Sequence, residues 1–239
     1  MDIGILEPGQ TPADLRTQHG TFAEMAARLL RPLAPDFSFT AFQVNEDSFP
    51  ECPESAAGWL VMGSAHGVYD DLPWMRRLKE FLRAALAAGR PVVGICFGHQ
   101  ILAEAMGGRV AKADAGWGCG VNEYKSLPGD APGPGLPASL RAQAMHQDQV
   151  VAPPPGAEVI LASAHCPYAG LSYAAGALSF QFHPEFDADF VAALIRARRG
   201  RVIPEPLAER ALAGIGEPTD HPLVGQRIVE FFRARARAA

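Results

Sequence analysis

The chain has 239 residues, 48% of them hydrophobic and 20% charged, with a formal net charge of −5. This length suits one α/β domain with additions, or at most two small domains, and the composition is that of a globular protein with a full core. The negative balance leaves no basic excess for phosphates, which argues against nucleic acid as a partner, and no run approaches the ~18 apolar residues of a membrane span.

The start, Met1-Asp2-Ile3-Gly4-Ile5-Leu6, lacks the basic residues and longer apolar stretch of a signal peptide. It reads as the first buried strand of a cytoplasmic protein. Helical spacing follows over 19–30, a strand over 37–44, and a short apolar run over 59–62 that ends at Gly63. Residues 73–88 form a strong helix candidate, with Pro73 in its first turn and Gly89 after its end. A buried strand is expected over 91–95 and a helix over 97–106, closed by Gly107-Gly108. Such alternation predicts an α/β fold: a mostly parallel open sheet with helices on both faces.

The second half reads differently. Shorter strands are expected over 119–125, 141–145, 159–162, 169–173 and 177–182, as a small antiparallel extension or edge. Residues 127–137, rich in proline and glycine, should be an exposed loop. Helices are expected over 187–199, 206–213 and 222–235, and the basic stretch 227–237 reads as the solvated face of the last. No repeat or long linker divides the chain. The expected organisation is one domain over 1–195 with a helical extension, 196–239, packed on it.

Four cysteines, Cys52, Cys96, Cys119 and Cys166, show no CxxC pairing, so a disulfide framework or zinc site is not expected. No cofactor or metal motif is visible. Cys96 stands apart from the other three. In Val92-Val93-Gly94-Ile95-Cys96-Phe97-Gly98-His99-Gln100 a buried strand ends and a helix begins within two residues, with glycines two positions either side of the cysteine. This is the layout of a nucleophile elbow with cysteine in place of serine. The corner lifts the sulfur from the sheet edge towards the free N–H groups of a helix N-terminus, which favours the thiolate. The amide of Phe97 points where an oxyanion would form. The competing reading, a buried structural cysteine, is kept for Cys52, Cys119 and Cys166.

A thiol nucleophile needs a base, and the base needs a group to hold it. Ser179-Phe180-Gln181-Phe182-His183-Pro184-Glu185 supplies both. In extended chain, residues i and i+2 project to one side, so Glu185 can accept from one ring nitrogen of His183 and leave the other to face a thiol. A third segment, residues 61–70, follows another buried strand and is rich in small residues; it could supply a second oxyanion donor.

Together these segments resemble the class I (triad) glutamine amidotransferase family, over about residues 1–195 and in the right order. Gly94-Ile-Cys-Phe-Gly-His-Gln100 resembles its nucleophile motif and Phe182-His-Pro-Glu185 its histidine–glutamate motif. Gly63-Ser-Ala-His-Gly-Val-Tyr-Asp70 resembles its oxyanion loop, and Met145-His-Gln-Asp148 its substrate-side segment. The resemblance implies a flavodoxin-like fold with Cys96 as nucleophile, His183 as general base and acid, and Glu185 as its orienter. It implies an oxyanion hole from the amides of Ser64 and Phe97, and substrate contacts from Gly63, Gln100, Met145, His146 and Gln147. Where the family usually has Gly-Gly-Pro, this chain has Gly63-Ser64-Ala65. That Gly-Ser loop, with the Cys96 motif, is similar to stand-alone members that act as γ-glutamyl peptidases.

The implied reaction is cleavage of the γ-glutamyl amide of glutamine, or of a γ-glutamyl peptide or amide, through a cysteine thioester. Too few residues follow position 195 for a synthase domain, so either a separate synthase chain takes the ammonia or the enzyme hydrolyses γ-glutamyl compounds alone. Two further readings are an α/β-hydrolase with Asp148 as its acid, and a non-catalytic protein on this fold, which would not need all three residues.

Overall fold

A computed structural model describes residues 1–127 and 136–237. The loop expected over 127–137 lies, from 128 to 135, outside the described residues. The first half runs β1 (Asp2–Leu6), α1 (Ala13–His19), α2 (Phe22–Leu30), β2 (Ser38–Phe42), β3 (Gly58–Val61), α3 (Pro73–Ala87), β4 (Val92–Ile95) and α4 (Phe97–Ala105). The second half adds β5 (Arg109–Lys112), β6 (Gly118–Ser126), β7 (Ser139–His146), β8 (Asp148–Ala152), β9 (Ala157–Ala162), β10 (Gly170–Tyr173) and β11 (Ala177–Phe180). It ends with α5 (Ala188–Arg198), α6 (Glu205–Ala213) and α7 (His221–Ala236).

Nine strands form one sheet in the order β2-β1-β3-β4-β11-β10-β9-β6-β7. From β2 to β11 all neighbours are parallel. From β11 to β7 all are antiparallel. A separate antiparallel ribbon joins β5 and β8. The expected α/β architecture, a parallel open sheet with an antiparallel extension, is therefore present.

Burial explains the parallel half. Every residue of β3 and β4 is buried, as strands covered on both faces must be. Successive side chains alternate between two cores: Leu60 and Met62 pack with α2, α5 and α7, whereas Trp59 and Val61 pack with α3 and α4. Trp59 lies over Gly4, where a Cβ would sit 2.0 Å from its ring. The extension past residue 195 joins the first core through Ile203, Ala208, Ala211, Val224, Ile228, Phe231 and Phe232.

Three expectations need correction. The stretch 19–30 is the end of one helix and the whole of another: Gly20, at φ 86°, closes α1, and Thr21 opens α2 with a capping box to Glu24. The β5–β8 ribbon was not expected, because its half-exposed strands lack clean alternation. The basic stretch 227–237 is not wholly a solvated face, since Arg227 is buried. Among the described residues no helix is long and apolar enough to cross a membrane.

Candidate active site

Cys96 joins β4 to α4 with φ 54° and ψ −104°, a conformation that costs a residue with a side chain about 1–3 kcal/mol. The surroundings over-determine it. The Cys96 N–H donates to the Phe180 carbonyl at 2.8 Å, and its own carbonyl accepts from the Gln100 N–H at 3.1 Å. The flanking glycines are required by contact: a Cβ on Gly94 would lie 2.5 Å from the Gly98 carbonyl oxygen, and one on Gly98 would lie 2.2 Å from that of Val61.

Because β11 pairs with β4, the segment after it reaches the same sheet edge. There the buried His183 donates through Nδ1 to Glu185 Oε1 at 2.7 Å. Its ring stacks on Phe186, with centroids 3.9 Å apart and planes 5° from parallel. The His183 N–H donates to the Gln143 carbonyl at 2.8 Å, and the Gln143 N–H donates to His221 Nε2, at the start of α7, at 3.2 Å. With Nδ1 taken up by Glu185, the other ring nitrogen is the one left to serve the neighbouring Cys96 sulfur. Burial alone would lower the His183 pKa, but the neighbouring Cys96 and Glu185 outweigh it and raise it to about 10. A positive ring beside the sulfur is the arrangement that activates a thiol nucleophile.

The oxyanion candidates lie on either side of Cys96: Ser64 on the loop after β3, and Phe97 at the start of α4. The Ser64 hydroxyl donates to the Pro8 carbonyl at 2.9 Å and accepts from the His66 N–H at 3.2 Å, so this side chain braces its own loop. The amides of Ser64 and Phe97 have no acceptor among the described residues.

Two cavities meet at Cys96 and Ser64. The larger, about 330 Å³, is lined by Gln100, Met145, His146 and Gln147, all expected as substrate contacts. The smaller, about 50 Å³, is lined by Gly63, Met145 and His183. Gln100 has little freedom, because its Nε2 donates to the Asp148 carbonyl at 2.8 Å and to Gln181 Oε1 at 3.2 Å. His146 is buried with neither ring nitrogen partnered among the described residues, and burial pushes its pKa down to about 3. Asp148 accepts from the Tyr69 hydroxyl at 3.2 Å, while the carboxylate on His183 is that of Glu185. The α/β-hydrolase alternative required the reverse.

All four cysteines are free. Burial pushes the Cys119 thiol up to about 11 and the Cys166 thiol up to about 12, and Cys52 is exposed. Among the described residues no group of three or more His, Cys, Asp and Glu side chains is placed to hold a metal ion. Sequence reasoning missed Gln181, whose Nε2 donates to the Cys96 sulfur at 3.8 Å, together with Phe186, Arg198 and His221. A glutamine between two phenylalanines in a buried strand was a usable signal for Gln181; nothing local marked Arg198 or His221.

Residues 20–190 match the family model described as glutamine amidotransferase class-I. The chain is 30% identical over 203 residues to γ-glutamyl peptidase 4 of Arabidopsis thaliana, which covers 82% of this chain and 81% of that one. It is 31% identical over 166 residues to the glutamine-hydrolyzing GMP synthase of Aeropyrum pernix, spanning 70% of this chain but 31% of that protein. A crystal structure of a glutamine amidotransferase from Methylobacillus flagellatus shares the fold, with a TM-score of 0.76 at 23% identity over 99% of this chain and 94% of that one.

Proposed function

The chain belongs to the class I glutamine amidotransferase family, and from that premise we propose that it hydrolyses γ-glutamyl amide bonds with Cys96 as nucleophile, His183 as acid and base, and Glu185 as the orienter of His183. The observation that carries this reading is the buried line from Glu185 through His183 to Cys96, with 2.7 Å between its first two members.

In the proposed reaction the Cys96 thiolate attacks the γ-carbonyl, and a C–S bond forms. The resulting oxyanion takes the unpartnered amides of Ser64 and Phe97, each worth roughly 3 kcal/mol in comparable acyl transfer. The C–N bond then breaks as His183 gives its proton to the departing amine. Water next gives a proton to His183 and attacks the thioester, the C–S bond breaks, and glutamate leaves with the thiolate restored. Gln100, Met145, His146 and Gln147 line the larger cavity, which would take the glutamyl group, and Gly63 lines the smaller one beside it. We assign the catalytic unit to residues 1–195 and read 196–239 as an extension of the same body.

The test offers glutamine, γ-glutamyl peptides and γ-glutamyl amides to purified protein and measures glutamate release. Turnover that disappears in Cys96→Ala supports the reading, and full activity in that variant rejects it. A second reading is a glutaminase chain that passes ammonia to a separate synthase. It draws on the GMP synthase relative, of which this chain spans 31%. Weak glutamine turnover with no peptide turnover would favour it.

A further inference from the structure

Arg198 occupies the last turn of α5 and lines both cavities that meet at Cys96. Among the described residues its guanidinium makes no ion pair and no hydrogen bond. The contrast with its neighbour is direct: Arg199 is held by Glu205 and Glu209 at 2.8 and 2.6 Å. Arg198 is half-buried, and burial lowers its pKa from the ordinary arginine value, offset in part by the nearby Cys96 and Cys119 sulfurs. Removing a guanidinium from water without a partner is unfavourable, so an unpaired one at a cavity wall indicates an anion that arrives with the ligand. The planar fork of arginine suits a carboxylate.

The smaller cavity indicates which carboxylate. It is lined by Cys96 and His183 together with Gln10, Pro12 and Arg198. If His183 protonates the departing amine, whatever that nitrogen carries must lie on this side of the sulfur. Ammonia from glutamine carries nothing. The amine of a γ-glutamyl amino acid or short peptide carries a carboxylate.

We propose that Arg198 binds a carboxylate on the leaving-amine side of the substrate, so that the enzyme selects γ-glutamyl amino acids or short γ-glutamyl peptides over glutamine. This inference rests on γ-glutamyl hydrolysis at Cys96. It adds a specificity-determining residue that makes no contact with the reacting bond.

The test compares kcat/KM for γ-glutamylglycine and for γ-glutamylglycinamide, which differ only in that carboxylate. The wild type should prefer the acid by about 30-fold, the usual range for charged hydrogen bonds. In Arg198→Gln the preference should collapse towards one. Arg198→Lys, which keeps charge but loses the fork, should retain an intermediate preference and guards against a variant that fails to fold. A wild-type ratio near one overturns the inference. So does a ratio unchanged in both variants, the outcome expected if Arg198 holds the glutamyl α-carboxylate common to all substrates. A wild type that cleaves neither compound but is alkylated at Cys96 rejects γ-glutamyl hydrolysis itself, and the assignment of Arg198 falls with it. Turnover of both compounds at equal rates rejects the Arg198 assignment alone.

Discussion

At the β4–α4 corner, the groups that shape Cys96 lie within four residues of it or on the strands alongside: Gly94, Gly98, Gln100, Val61 and Phe180. At the end of β11, His183 depends on partners from several elements. Glu185 and Phe186 are close in sequence, but Gln143 comes from β7 and is itself held by His221 of α7. The proposed nucleophile is thus positioned by backbone conformation, and the proposed base by tertiary packing. Mutations should separate the two. Damage at the corner should appear as lost stability, and damage around the base as lost rate in a folded protein.

The largest effect is expected at the sulfur. Cys96→Ala should lower glutamate release on the order of 10⁴-fold or more while leaving the unfolding temperature within about 3 °C. A smaller loss would mean that another group does the chemistry. Glu185→Gln should reduce kcat roughly a hundredfold or more, because the amide leaves His183 in the wrong orientation or tautomer. Gly98→Ala tests the corner itself. A Cβ 2.2 Å from the Val61 carbonyl oxygen forces backbone apart, and denaturant unfolding should show a loss of about 3 kcal/mol. Tolerance of that methyl group would contradict a corner fixed by contact.

Near the base, His221→Phe leaves the Gln143 N–H without its acceptor and should shift β7 slightly beneath His183. A loss of about tenfold in kcat is expected, recovered in part by His221→Gln, which can still accept. The last effect is on pH dependence. Burial keeps His99 and His146 neutral down to about pH 3 and His221 down to about pH 4. In the unfolded chain they protonate near the ordinary histidine value, so the unfolded state binds more protons below it. Stability should therefore fall as pH drops from about 6.5 towards 4, by at most about 1.4 kcal/mol per pH unit for each histidine. Urea midpoints at pH 7 and pH 5 that agree would show that these rings have solvent access.

The same division decides what could be read from the amino acids. β3 and β4 announce themselves as unbroken apolar runs, and the corner at Cys96 is written in its two glycines. The spacing of His183 and Glu185 pointed to their contact, but it is made across a turn that follows β11 and not within extended chain. The Gly20 break is signalled by the Thr21–Glu24 capping box, which the continuous helical spacing over 19–30 hides. The β5–β8 ribbon offered neither long runs nor alternation. Arg198 and His221 reach the site only because α5 and α7 pack where they do, and no local pattern encodes that. An arginine in a helix's last turn, here flanked by Arg196 and Arg199, reads as a response to the helix dipole until the cavity beside it is seen.

The place of β11 has a consequence for biosynthesis. It is the last strand in sequence order among the described residues, yet it is inserted at the middle of the sheet, between β4 and β10. Until the ribosome has released it, one edge of β4 stays open and Cys96 waits on it without His183. A nascent chain therefore carries an inert thiol beside an exposed pairing edge, the kind of surface that recruits other chains. Arrival of β11 closes that edge and delivers His183 in one event, so that protection from aggregation and assembly of the site are completed by the same few residues.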